Sequence, residues 1–173
     1  AAAGAGPAEI VPAVIALGLA ASRPSLAERI VRGAARARTR KPVDEIARVG
    51  KGSSVAGLPK SWRSVLEAVR AAPSASNKQP WRLVAVGPAA GADFEDLAWD
   101  LYMDEDYAYN RALGAVRIQN IDMGIAMRHF SIAASAFGLR GSWRSPSASE
   151  RLSEGGRSET GPERGWKLIA SWR

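Results

Sequence analysis

The stretch LEAVRAAPSASNKQPWRLVAVG, residues 66–87, decides how this chain is read. Upstream of its centre, Trp62, Val65, Leu66 and Val69 fall at i, i+3, i+4 and i+7. That spacing predicts a helix over 62–71 with Ser61 as its cap. Downstream, WRLVAVG (81–87) is rich in β-formers and predicts a strand. Between them stand Pro73, Ser74, Ser76, Asn77, Lys78 and Gln79, more polar and turn-forming residues than a simple connection needs. Asn77 offers two donors and an acceptor, the serines offer hydroxyls, and Pro73 fixes its own φ. Composition alone also accounts for the cluster as a structural turn.

Working outward, Phe94, Leu97, Ala98 and Leu101 repeat the helical spacing, which predicts a short helix capped by Asp93. The stretch 115–138 is the longest helical candidate, apolar over much of its circumference and slimmed by Gly124, Ala126, Ala133, Ala134 and Ala136. Such a helix is expected to be buried, with Gly138 as its C-cap. Residues 145–165 read as a mobile polar loop and 166–172 as a final strand. Toward the N-terminus, 41–59 reads as a Gly- and Ser-rich connector. Residues 22–39 read as a basic helix opened by Pro24 and the Ser25/Glu28 capping box, with an apolar stripe of Leu26, Ile30, Ala34 and Ala37. PAVIALGL (12–19) reads as a strand buried on both faces, and 1–9 as a flexible leader with something upstream missing. Together these predict a mixed α/β (α+β) class, a small sheet flanked by helices.

The 173 residues are 46% apolar and 24% charged, the balance of a globular domain with a sizeable core. The absence of cysteine excludes disulfides, zinc–thiolate sites and thiol catalysis, and sits comfortably with a cytoplasmic location. The apolar run 10–21 is too short to span a bilayer. A net charge of +7 favours anionic partners. The basic stretch 29–41 has no interleaved aromatics and no helix-turn-helix signature, which disfavours nucleic acid as that partner. His129 reads as a satisfied core or interface histidine, and Asp122 as a capping or dipole partner of its own helix. No acid–base dyad, nucleophile or metal-ligand set stands out.

Ala72-Pro73-Ser74-Ala75-Ser76-Asn77-Lys78-Gln79-Pro80-Trp81 resembles the motif Ala-Pro-Ser-x-x-Asn-x-Gln-Pro-Trp of the FMN-dependent nitroreductase family, with its helix before and strand after. The alanine-rich helix running into Gly138-Leu139 and the Gly-containing segment to Trp143 resemble the family as well. The resemblance implies the nitroreductase-like fold with a buried Ala-rich central helix. It is nearest to a tandem, single-chain variant in which two degenerate halves imitate the family's homodimer. On that reading residues 10–40 are the tail of a first half, 41–60 the connector and 61–173 the second half, with the flavin-contacting turn at 72–81.

By resemblance, Pro73, Ser74, Ser76 and Asn77 line FMN, while Gln79, grouped with them in the cofactor site, more readily ties the turn to the scaffold. The flavin carries the chemistry, so no catalytic side chain is expected. The implied activity is an NAD(P)H-driven oxidoreductase reducing a nitro- or quinone-like acceptor. The alternatives are a flavin-binding or structural half without activity of its own and, further off, a basic nucleic-acid-binding protein. The family's Arg-x-Ser-x-Arg phosphate segment is missing here. RTRKP (38–42) keeps only its basic character. The resemblance therefore implies that a missing N-terminal half or a homo-oligomer partner supplies phosphate contacts.

Overall fold

The computed structural model describes residues 19, 23, 25–36, 38–50, 54–86, 94, 97–112, 117–147 and 165–173. The chain divides into two units, Ala1–Ala35 and Arg36–Arg173. The expected leader, the strand over 12–19 (but for Leu19), Pro24, Ala37, Asp93 and most of the 145–165 loop lie outside the described residues.

In the first unit, helix α1 spans Leu26–Ala34. Its Leu26 and Ile30 are exposed, so the narrow apolar stripe is not a core face.

In the second unit the described elements are helix α2 (Val43–Ile46), strand β1 (Ala47–Val49), helix α3 (Lys60–Ala71), strands β2 (Trp81–Val86) and β3 (Ala98–Asp104), helices α4 (Tyr107–Ala112) and α5 (Ile118–Ala136), and strands β4 (Trp143–Arg144) and β5 (Trp166–Trp172). Single turns of 3-10 helix cover 55–57 and 75–77. The five strands form one sheet in the order β1-β2-β3-β5-β4. β1 runs parallel to β2, and the other pairings are antiparallel. This is the expected mixed class, a small sheet flanked by helices.

α3 forms as its spacing predicts, and Trp62, Val65, Leu66 and Val69 are all buried. Its N-cap position is Pro59 rather than Ser61, which sits inside the first turn. The helix stops where Pro73 forces Ala72 into an extended conformation, φ −56° and ψ 140°. α5 differs from its expectation. Its buried residues Gln119, Asp122, Met123, Ala126, Phe130 and Ala134 form one stripe, while Gly124 and Ile132 are exposed. A helix laid on a sheet buries only the side that faces it, whatever its other side is made of.

One stretch takes a different element type from the one its spacing predicts. The residues expected as a helix around 94–101 contribute strand β3 instead. Trp99, Leu101 and Met103 alternate into the helix-side core, while Tyr102 joins Val84 and Leu168 on the opposite face. The i, i+3, i+4, i+7 match there was coincidental, because the period-2 pattern governs. The stretch 41–59, expected as a connector, carries α2 and β1, with Ile46 and Ala47 buried.

The core's centre is aromatic. The Phe130 ring centroid lies 5.9 Å from that of Trp62, 6.2 Å from Trp99, 5.0 Å from Trp143 and 5.1 Å from Trp172. Trp62, Trp99 and Phe130 are fully enclosed. His129 Nδ1 meets the Ala68 carbonyl oxygen at 3.0 Å, which joins α5 to α3 and puts the proton on Nδ1.

Candidate functional site

The polar turn lies where the end of α3, the start of β2 and the N-terminal half of α5 come together. Ser74 is extended at φ −143°. The 3-10 turn Ala75–Asn77 follows, and Pro80 returns the chain to β2. Three non-glycine residues here have left-handed backbones: Ser76 at φ 49°, Asn77 at φ 54° and Gln79 at φ 49°. Asn tolerates that region, whereas Ser and Gln do so at a cost of roughly 1–3 kcal/mol each. Such a backbone persists only where its surroundings over-determine it.

The surroundings do so with hydrogen bonds. Ser74 Oγ accepts from Gln79 N at 2.9 Å, and the Ser74 carbonyl accepts from Asn77 N at 3.0 Å. Asn77 Nδ2 donates to the carbonyls of Arg36 (2.8 Å) and Thr39 (2.9 Å). Asn77 Oδ1 accepts from Arg40 Nη1 and from Gln79 Nε2, each at 3.1 Å. Gln79 Oε1 accepts from Lys41 N at 2.9 Å. The Asn77 amide is thus committed to the protein in both its donors and its acceptor. From inside, Asp122 Oδ1 accepts from Ala75 N at 2.9 Å. From the sheet, Arg82 Nη1 donates to the Gln79 carbonyl at 2.9 Å, and its Nη2 pairs with Asp104 at 2.7 Å. At the rim, Lys78 Nζ pairs with Asp106 at 3.0 Å.

The turn therefore brings all five sequence-selected residues together with different duties. Pro73 and Ser76 are exposed, Ser74 and Asn77 are half-buried, and Gln79 is buried. The side chains of Asn77 and Gln79 hold the turn to the segment 36–41. That segment carries Arg36, Arg38, Arg40 and Lys41, of which Arg40, through its side chain, and Lys41, through its backbone N–H, bond the turn. Its own shape is set by Arg36 at φ 46° and by Thr39, whose hydroxyl donates to the Arg36 carbonyl at 2.8 Å.

Two contributors escaped the sequence reading. Asp122 does not cap its own helix. It sits in the second turn of α5, 2% exposed, and its Oδ2 is buried with no partner. Burial raises its pKa above the ordinary aspartate value, and the Ala75 N–H partly opposes that rise. Its spacing from the buried Gln119 and Met123 marks the inward stripe and is the signal that was available. Arg82 is 5% exposed, yet alternation in β2 gave no hint that its guanidinium folds back onto the turn. Behind it a cavity of about 510 Å³ opens between Arg48, Arg82, Asp104 and Trp166, with the Arg48 guanidinium 4.8 Å from the Trp166 ring centroid. Among the described residues, no cluster of His, Asp and Glu has metal-binding geometry, and no helix is long and apolar enough to cross a membrane.

A family model described as "Putative TM nitroreductase" matches residues 3–134, most of the chain and the whole turn. The chain belongs to this nitroreductase family. The fold agrees with a solved nitroreductase family protein from Clostridium difficile 630. The two are 20% identical with a TM-score of 0.51, over 76% of this chain and 81% of that one. A nitroreductase in complex with FMN from Desulfovibrio desulfuricans also aligns, at 19% identity and a TM-score of 0.47, over 78% of this chain and 85% of that one. No curated protein sequence matches the chain.

Proposed function

We propose that this nitroreductase-family chain is an FMN-dependent oxidoreductase whose turn 73–79 forms one wall of the flavin site. The observation that carries this reading is the turn's construction. Its strained backbone is fixed from three sides by side chains whose polar atoms face inward, and Pro73 and Ser76 are left on the outer surface. A wall of that kind suits a flavin, whose ring faces are apolar and whose ribityl chain takes hydrogen bonds from hydroxyls.

The residues present fit the group. Pro73 and Ala75 offer apolar contact to a ring face, and Ser74 and Ser76 offer hydroxyls. Asn77 and Gln79 contribute by fixing the wall rather than by donating to the ligand. The segment 36–41 beside the turn, with Arg36, Arg38 and Arg40, supplies positive charge suited to a phosphate, which lessens the need for an upstream arginine segment. What FMN supplies when bound is hydride uptake and onward electron delivery. We assign NAD(P)H as reductant and a nitro- or quinone-like molecule as acceptor. The protein's own part is to bind, orient and shield.

The finer organisation belongs to the same proposal. Residues 10–40 are the tail of a first nitroreductase-like half and 61–173 a second half, in a cytoplasmic protein. The outer face of α5, with Ile132 54% exposed, is where a second copy would pack. The deciding experiment is an FMN titration of the purified 173-residue chain with flavin fluorescence as readout. Saturable quenching, followed by NADPH oxidation, is the expected outcome. Absence of saturable binding to this chain overturns the reading that it carries a usable flavin site.

A further inference from the structure

We infer that Asp122 is the positioning residue of the turn: by accepting the Ala75 N–H it holds residues 75–79, with left-handed Ser76, Asn77 and Gln79, in their strained shape and thereby sets how tightly the site takes FMN. The role in FMN affinity rests on the flavin reading above; the clamp itself does not.

Three observations converge on Asp122. The turn is strained at Ser76, Asn77 and Gln79, so something must hold it. The bonds that tie the turn to segment 36–41 engage its second half, through Asn77 and Gln79. Its first half begins at Ala75, whose N–H opens the 3-10 turn and would be an orphan donor without a side-chain acceptor. Asp122 Oδ1 is that acceptor, at 2.9 Å. The carboxyl is also in an expensive place. It is 2% exposed, its Oδ2 has no partner, and burial drives it toward the protonated form. The stripe it interrupts continues as Met123, Ala126 and Phe130, where apolar packing is the rule. The Ala75 bond is the interaction that distinguishes this position from that stripe. Because Asp122 sits on the helix that also carries Phe130, it references the turn to the rigid core rather than to the surface segment 36–41.

The test compares wild type, Asp122→Asn and Asp122→Ala. Asn keeps an oxygen acceptor for Ala75 N–H, whereas Ala removes it. FMN affinity is expected to stay within about threefold in Asp122→Asn and to fall about tenfold or more in Asp122→Ala, with far-UV circular dichroism unchanged. Amide hydrogen exchange supplies a flavin-independent readout. In wild type Ala75 N–H should be protected, and in Asp122→Ala protection should be lost over 75–79 while α3 stays protected. Equal FMN affinity in wild type and Asp122→Ala overturns the role in affinity. Free-loop exchange of Ala75 in wild type overturns the clamp, even if Asp122→Ala does not fold. Wild type that binds no FMN but protects Ala75 sinks the flavin reading and its affinity clause while upholding the clamp.

Discussion

The two ends of α5's inward face serve opposite purposes. Around Phe130, rings from α3, β3, β4 and β5 meet at 5.0–6.2 Å, and the atoms buried there without a partner are the indole nitrogens of Trp99 and Trp172. Around Asp122, roughly two turns away, a buried carboxyl meets a strained backbone and one of its oxygens goes unpaired. The first region gains free energy from burial, and the second spends some on holding a shape. Strain and buried polar atoms in a small domain require a core able to offset them. Here both are fastened to the same helix, so the turn's geometry is referenced to the enclosed aromatic core.

The contrast can be broken most forcefully at Phe130. Phe130→Ala should cost about 3–5 kcal/mol of folding stability, measured by urea unfolding. A loss below about 1 kcal/mol would mean that the aromatic centre is not what underwrites the turn. Asn77→Ala should act the other way round. It removes the bonds to Arg36, Thr39, Arg40 and Gln79, and FMN affinity should fall about tenfold, or ~1.4 kcal/mol, with the circular dichroism spectrum intact. Unchanged affinity would remove Asn77 from the site.

Ser76→Gly sharpens the comparison further. Glycine accepts φ 49° without steric cost, so thermal stability should rise by about 0.5–1 kcal/mol while FMN binding weakens. A variant that gained stability and kept full affinity would show that the strain has no bearing on ligand binding. The smallest effect concerns pH. Asp122 holds its proton more tightly folded than unfolded, so wild-type stability should decline as pH rises from the ordinary aspartate value of 3.8 through its raised one. Asp122→Asn should flatten that decline, and parallel pH profiles would assign it to other groups.

Much of this was legible in the sequence because it is local. The four apolar residues of α3, the β-rich start at Trp81 and the ten-residue motif announce helix, strand and turn within one short stretch. The face of β3 was hidden because its residues satisfy two periodicities, and only pairing with β2 and β5 selects the period of two. The duties of Asn77 and Asp122 were hidden for a different reason. Apart from Gln79, their partners lie 37 to 47 positions away in sequence, and hydrogen-bond capacity does not say whether it faces a ligand or the protein. The exposed outer side of α5 was likewise unreadable, because composition gives a helix its apolar faces but not the number of neighbours available to cover them.

The order of strands has a consequence for synthesis on the ribosome. β5 lies between β3 and β4, and among the described residues β4 has no other partner in the sheet. Until residues 166–172 emerge, β3 keeps an unpaired edge and Trp143 lacks the Trp172 ring that it meets at 5.5 Å. The nascent chain can pair β1 with β2 as soon as residue 86 is out. It then has to carry an open edge through more than sixty residues, and that interval is when it is most exposed to mispairing with other chains.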